Sequence, residues 1–363
     1  MDAENSVYRR LQQHLDKHLP LRYPPAESEV EIRLLKHLFS SKEADLALYL
    51  GNLPQPLESI KQEMIKNGIS IDNLEEKLDA LVEKGAIKGK KLLIGEKAEK
   101  MFSLHQFSIG MYESQVDRLT KEYFEDAYEY FTGTFYKEFH RIDTPCQMRT
   151  IPVKRSVTAD IHVNTYDDVK QLIEDCEGPI SVINCICRTG MDLLDKPCAH
   201  TDLRETCIQL GPKAEVFIER GSARPITKEE LFELLDEFEE DGLILQPENT
   251  QHPEVIHACC GDCCFNLTQV KRFARPAEFF ASNYYVEVDP EKCRGCRTCT
   301  DRCQMQAVSL VERMAVVDLD LCSGCGNCVA YCLSKAIQLK KKEIEIIPPK
   351  DKLALNQKIM ENK

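Results

Sequence analysis

Apolar residues recur at three- and four-residue spacings early in the chain, in 28–38, 42–50, 57–67 and 73–84, and each stretch predicts an amphipathic helix. Ser40 and Asp72 stand where N-caps are expected, and Gly68 and Gly85 where helices stop. Residues 86–95 have apolar ends around a Gly-Lys centre, the pattern of a hairpin. Eleven aromatic residues follow between Phe102 and Phe139. Five of them, Phe124, Tyr128, Phe131, Phe135 and Phe139, share one face of a helix whose weak point is Gly133. That face is expected to pack in a core joining the two halves of the chain; a homodimer seam is the alternative. Further on, 179–184 reads as a buried strand. Thr227-Lys-Glu-Glu230 is a capping box opening a helix with Leu231, Leu234, Leu235 and Phe238 on one face and Gly242 at its end. Short strands are expected at 284–288 and 314–318, and helical turns after Cys299 and Cys328.

A chain of 363 residues has room for two or three domains. Its longest apolar runs fall far short of the roughly 20 residues a membrane span needs. The start carries no basic and apolar leader pattern, so a soluble, cytoplasmic protein is expected. The net charge of −13 argues against general binding to nucleic acid or anionic membranes. Eighteen cysteines change the picture more than charge does, because a large intracellular chain uses such a load for metal or redox chemistry. All eighteen lie between Cys146 and Cys332, which separates a cysteine-free front from a cysteine-dense back.

The back contains an internal repeat at an offset of 29 residues: 288–310 aligns without gaps onto 317–339, and nine of 23 positions are identical. Each half carries C-x2-C-x2-C-x3-C. Three closely spaced thiolates can wrap one cubane, while the fourth cannot fold back onto it and ligates the other cluster. Cys293, Cys296, Cys299 and Cys332 are therefore assigned to one [4Fe–4S], and Cys322, Cys325, Cys328 and Cys303 to the second. Gly295 and Gly324 lie inside the wrapping loops, where the missing Cβ permits positive φ. Two zinc sites are the blander reading, which the crossed repeat disfavours. Residues 284–340 are similar to bacterial two-cluster ferredoxins, except that Gln304 and Leu333 replace the proline that commonly follows the fourth cysteine.

The remaining cysteines are less familiar. Cys185 and Cys187 follow the predicted strand, Cys198 and Cys207 come next, and Cys259, Cys260, Cys263 and Cys264 crowd into six residues. These eight are candidate ligands of a third iron–sulfur cluster, with zinc or a reactive dithiol as alternatives. Pairing Cys185 and Cys187 with part of the later block would tie two distant loops together. From Pro145 through Cys185-Ile-Cys-Arg, Glu205-Thr-Cys207, Arg224-Pro-Ile-Thr-Lys-Glu-Glu and Cys259-Cys-Gly-Asp-Cys-Cys, the chain resembles a family of [4Fe–4S]-binding proteins of anaerobic bacteria and archaea. In that family a similar cysteine block precedes a two-cluster ferredoxin. Where its members tend to read Ile-Cys-Asn-Cys-Cys, this chain has His257, read as a loop residue beside the site in preference to a ligand. Arg188 has two evenly weighted uses: a cation beside a reduced cluster or an anionic substrate, or a salt bridge with nearby carboxylates. Cys146 and Cys176 are taken as ordinary thiols and His200 as a non-ligand.

Helices followed by a two-stranded wing make residues 27–100 resemble a winged helix. DNA binding follows only if charge supports it. Residues 81–100 hold six Lys against three Glu, but residues 1–140 hold 19 basic against 24 acidic residues. The 57–67 helix, taken as the candidate reader, offers only Lys61 and Lys66. A protein-docking or dimerisation role is favoured over DNA. No Gly-rich dinucleotide motif or P-loop is present.

The expectation is a multidomain α+β protein: a mostly helical, winged-helix-like domain (1–140), a cysteine-rich mixed α/β domain (141–283), a ferredoxin-like two-cluster domain (284–340) and a tail (341–363). It is expected to relay electrons to a redox partner protein rather than to act as a stand-alone enzyme. The alternatives are a cluster-based reductase with substrate at the middle site, and a redox-sensing regulator that uses the winged helix.

Overall fold

The computed structural model describes residues 3–94, 97–158, 161 and 163–363. Helix and strand are mixed in an α+β protein whose chain divides into two compact units, 1–138 with Lys363, and 139–362.

The first unit opens with α1 (Ala3–His18), α2 (Val30–Leu38) and α3 (Ser41–Ala47), followed by the two-residue β1 (Gln55–Pro56). Next come α4 (Leu57–Lys66), α5 (Leu74–Glu83), β2 (Ile87–Ile94) and β3 (Lys97–Leu104). Ser40 caps α3 in a reciprocal capping box with Glu43. At α5 the expected cap at Asp72 is replaced by Asn73, which turns the chain with a left-handed backbone (φ 55°) and no side-chain cap. The three strands order as β1-β3-β2, all antiparallel. Residues 87–94 form one continuous strand paired with 97–104, so the hairpin does not turn at Gly89-Lys90. Gly89 instead lies opposite Phe102, and a Cβ there would come within 2.5 Å of Val82 Cγ2, so its absence lets α5 press onto the strand. Residues 95 and 96, between the two strands, lie outside the described residues.

The aromatic helix runs through 121–139 and widens at its expected weak point. α6 (Lys121–Tyr130), capped by Thr120, runs into a wide π-type turn over 131–135 that contains Gly133, and then into α7 (Tyr136–Phe139). Phe124, Phe131 and Phe135 are buried while Tyr128 is exposed. Tyr23, Phe107, Tyr112, Tyr130, Phe131 and Phe135 form one cluster with ring centroids 5.0–6.1 Å apart. This face is a core within the first unit.

The second unit contains α8 (Val169–Glu174), β4 (Ile180–Asn184), α9 (Ile186–Leu193), β5 (Glu205–Leu210), α10 (Pro212–Glu219) and β6 (Arg224–Ile226). It continues with α11 (Lys228–Glu240), β7 (Ile244–Pro247), β8 (Val255–Cys259) and α12 (Phe265–Val270). The five strands form an antiparallel sheet in the order β6-β4-β5-β8-β7. Ile180, Val182, Ile208, Leu210 and Ile256 of the sheet share a core with Leu231, Leu235 and Phe238 of α11. Because β4 and β8 both run antiparallel to β5, their C-terminal ends open onto the same edge of the sheet. That edge is where Cys185 and Cys259 emerge.

The same unit holds the repeat. β9 (Tyr284–Val288) pairs with β12 (Ile337–Lys341), and β10 (Val308–Val311) with β11 (Met314–Val317). The one-turn helices α13 (Thr298–Asp301) and α14 (Asn327–Ala330) carry Cys299 and Cys328. The chain ends in α15 (Lys352–Glu361), capped by Asp351, with Leu355 and Ile359 buried.

A buried ion pair ties the unit together. Arg149 Nη1 lies 3.1 Å from Asp167 Oδ1, and both side chains are 1% exposed. Asn283 Nδ2 donates to the other Asp167 oxygen at 2.8 Å and to Ile346 O at 3.1 Å, while Ile346 N donates to Asn283 Oδ1 at 2.7 Å. Burial brings the Arg149 pKa down to about 10 and pushes that of Asp167 up, so each ion depends on the other to stay charged. Asp167→Asn leaves the guanidinium buried and unpaired, and is expected to cost the second unit about 3–5 kcal/mol. Anaerobic denaturant titration followed by circular dichroism checks this; a loss below about 1 kcal/mol would show that the pair does not hold the unit.

Candidate metal centres

The repeat is written into the backbone as well as the sequence. Left-handed positions recur in pairs 29 residues apart: Gly295 and Gly324 (φ 63° and 74°), Arg297 and Gly326 (72° and 77°), Gln306 and Lys335 (57° and 52°). In both halves the amide of the first cysteine donates to the carbonyl four residues before it, Cys293 to Asp289 and Cys322 to Asp318, at 3.1 Å each. The glycines are required for space as well as for φ. A Cβ on Gly295 would stand 2.1 Å from Arg313 O, and one on Gly324 2.2 Å from Tyr284 O. Backbone amides reach the sulfurs, with Ala307 N donating to Cys303 Sγ at 3.1 Å and Ala315 N to Cys293 Sγ at 3.3 Å.

The fourth cysteine of the first half sits among the first three of the second. Burial raises the thiol pKa values of Cys322, Cys325 (to about 12) and Cys328, and the charge of Cys303 adds to all three. Burial likewise raises Cys299, with Cys296 and Cys293 adding to it. The two halves differ in exposure. Cys296 is exposed, with its Sγ 3.5 Å from Thr298 Oγ1. The second half is enclosed: Val153 N donates to Cys325 O at 2.9 Å, and Asn327 Nδ2 donates to Gly242 O at 2.8 Å and Leu243 O at 3.0 Å. Cysteine-only donors supplied with N–H groups suit an iron–sulfur cluster. Residues 285–333 match the family described as 4Fe-4S dicluster domain. This segment is an iron–sulfur domain. No curated protein matches the chain, and no solved structure does.

Seven of the eight middle cysteines fall into two groups near this iron–sulfur domain. In the first group, Cys185 is the N-cap of α9 and Cys187 lies in its first turn, while Cys259 ends β8 and Cys264 is the N-cap of α12. The bond from Cys187 brings the Cys185 thiol down to about 6, with Arg188 contributing, and raises that of Cys187. Cys264 and Cys259 form a second such pair, lowering Cys264 and raising Cys259. The pairs act on one another, Cys185 on Cys259 and Cys264 on Cys187. Amides at both helix starts, those of Arg188, Phe265 and Leu267 among them, point at these sulfurs.

The second group is Cys198, Cys260 and Cys263 with Asp262, whose donor atoms all lie within 4.8 Å of one another. Cys207 lies in the body of β5, opposite His257, where Gln209 Nε2 donates to its thiol at 3.2 Å.

Arg188 is fully buried between the two groups. It donates to Thr206 Oγ1 and, at 3.0 Å, to Ala258 O. Burial opposes its charge, but Cys185 and Cys259 from one group and Cys260 and Cys198 from the other hold its pKa above the ordinary value. Lys271 donates to Gly261 O at 2.8 Å and lies within the influence of Cys303, Asp262, Cys264 and Cys260. Gly261 N donates to Gln304 Oε1 at 2.7 Å, and a Cβ on Gly261 would meet Gln304 O at 2.3 Å. The side chain standing where a proline is common thus docks the middle cysteine block onto the iron–sulfur domain.

His257 is not a loop residue. It lies within β8, paired with Cys207 and Gln246, and burial brings its pKa down to about 4. Cys176 donates to Glu177 O at 3.8 Å, burial raises Cys146 to about 11, and His200 is exposed. Sequence reasoning missed Asp262 and Lys271. An oxygen donor inside Cys-Cys-Gly-Asp-Cys-Cys is the signal that could have pointed to Asp262.

Gly295→Ala is expected to remove about four irons per chain and leave the second half of the repeat loaded. Iron analysis with EPR of the reduced protein checks this; unchanged iron in the variant contradicts the need for bare backbone at that position.

Proposed function

We propose that this chain is an electron-transfer protein holding three [4Fe–4S] clusters in its second unit. Cys293, Cys296, Cys299 and Cys332 hold the first, and Cys322, Cys325, Cys328 and Cys303 the second. The four-thiol group Cys185, Cys187, Cys259 and Cys264 holds the third. One observation carries the reading: Cys259 and Cys264 share a single apolar core with Met305 and Ala307, against which Cys303, Cys322 and Cys325 pack. Thiols of the middle group and of the second half of the repeat therefore line one compact region.

When bound, such clusters supply one-electron storage at potentials set by charge, N–H···S bonds and solvent exposure. The chain's own residues establish a gradient in that environment. Cys296 faces water, the second half of the repeat is enclosed, and the middle group, with Cys259 and Cys264 buried and Cys185 and Cys187 half-buried, stands beside the buried Arg188 guanidinium. The exposed first half is the surface at which a soluble redox partner exchanges electrons. A buried cation favours the more negative, reduced state of the centre it adjoins, so Arg188 raises the potential of the third centre.

The β1-β3-β2 sheet flanked by α4 and α5 supports a winged-helix reading of the first unit. In a helix-turn-helix the second helix is the reader, which shifts that position from α4 to α5. α5 carries Glu75, Glu76, Asp79 and Glu83 against Lys77. Docking to a partner protein suits that face better than a phosphate backbone does.

About twelve irons and twelve sulfides per chain are expected from anaerobically purified protein, falling to about eight in Cys296→Ser and also in Cys264→Ser. Twelve irons in both variants would sink the ligand assignment. Arg188→Gln is expected to lower the potential of one centre in a redox titration and leave the other two unmoved. Duplex DNA is expected to bind weakly and with a steep salt dependence; nanomolar sequence-selective binding at physiological salt would promote the regulator.

A further inference from the structure

We infer that Cys198, Cys260, Cys263 and Asp262 form a separate site for a single zinc ion, distinct from the four-thiol group beside it. The argument starts from distance. Zinc bound tetrahedrally at about 2.3 Å from sulfur places its ligands about 3.8 Å apart. Three thiols and a carboxylate oxygen, all within 4.8 Å of one another, are close to that arrangement. A cubane places each thiolate on a different iron and spreads the sulfurs further apart.

The chain builds the site from two segments. Cys260 and Cys263 give the C-x2-C spacing of zinc knuckles, and Cys198 arrives from the loop after α9. All three sulfurs belong to buried residues, while Asp262 is half-buried. The carboxylate is also oriented, because Ala199 N donates to Asp262 Oδ2 at 2.8 Å and Cys198 Sγ lies 3.5 Å from Oδ1. A backbone donor holding a ligand in place is how metal sites fix their geometry. The amides of His200 and Thr201 point at the Cys198 sulfur in the same manner.

Charge explains why the two sites can coexist. One zinc with three thiolates and one carboxylate carries a formal charge of −2 (2 − 3 − 1), and a loaded four-thiolate centre beside it is also anionic. Arg188 stands buried between the groups and Lys271 bonds the loop that joins them. Adjacent cysteines divide between the sites, Cys259 and Cys264 going to one and Cys260 and Cys263 to the other. A zinc ion held by Cys198, Cys260, Cys263 and Asp262 would therefore fix the loop 260–263 and with it the direction in which Cys259 and Cys264 point.

Zinc and iron counted together on the anaerobically purified full-length protein test the inference. One zinc per chain is expected, retained through brief chelation. Cys198→Ser and Cys263→Ser should lose it while the EPR signals of the two repeat-borne clusters persist. Asp262→Asn should lose zinc to a competing chelator at least about tenfold more readily, and Asp262→Cys should restore retention. Zinc-edge absorption on the wild type needs no variant to fold, and should show three sulfurs at about 2.3 Å and one oxygen at about 2.0 Å. Zinc at trace level, zinc unmoved by both serine variants, or about sixteen irons with four lost in Cys263→Ser would each overturn the site. Eight irons with one zinc would instead refute the third cluster and leave the zinc site standing.

Discussion

Thiolates repel one another, and a buried space magnifies the repulsion. A protein that gathers cysteines from several segments must offset that charge before any metal arrives. This chain does so with few devices. Backbone amides at the starts of α9 and α12 aim at sulfur, the fully buried Arg188 separates two thiol groups, and Lys271 braces the loop that serves both. The sheet supplies the convergence. Because β4 and β8 run alongside one another with β5 between them, two segments more than sixty residues apart in sequence end at a common edge.

The iron–sulfur domain meets this edge through polar contacts that leave little freedom. Gln304 accepts from Gly261, Asn327 donates to the carbonyls that follow α11, and Gly326 sits where a Cβ would strike Ser156 Oγ at 2.2 Å. Each contact depends on a small or amide side chain at one position, so the arrangement tolerates little substitution at its seams.

Much of this was readable from the chain alone. Helices α2 to α5 follow their apolar spacing closely, the Ser40 cap forms, and the 29-residue repeat returns as matched left-handed residues. Other features depended on tertiary context. Gly89 looked like a turn residue because only the fold reveals α5 pressing on the strand there. The division of Cys259 from Cys260 and of Cys263 from Cys264 was hidden for a different reason. Neighbouring residues at a strand end point to opposite sides, and which side faces which partner depends on where the loop turns. Spacing identified a metal-rich block and could not partition it. In the sequence Gln304 is only a departure from a pattern, whereas in the fold it is a connector.

The Arg149–Asp167–Asn283 chain has an implication for how the protein can be handled. Ferredoxin-like segments are commonly treated as cassettes to be cut out and fused elsewhere. Here Asn283, at the doorway of the repeat, is bonded to Asp167 on one side and to residue 346 beyond the repeat on the other. Excising the repeat would strand the Gly242 and Leu243 carbonyls and the Gly261 amide, each at about 1–3 kcal/mol where the group stays buried, and cutting at Asn283 would leave the Asp167 carboxylate with Arg149 alone. The iron–sulfur domain is therefore welded rather than plugged into its host, and transplantation would have to carry the cysteine-rich sheet with it.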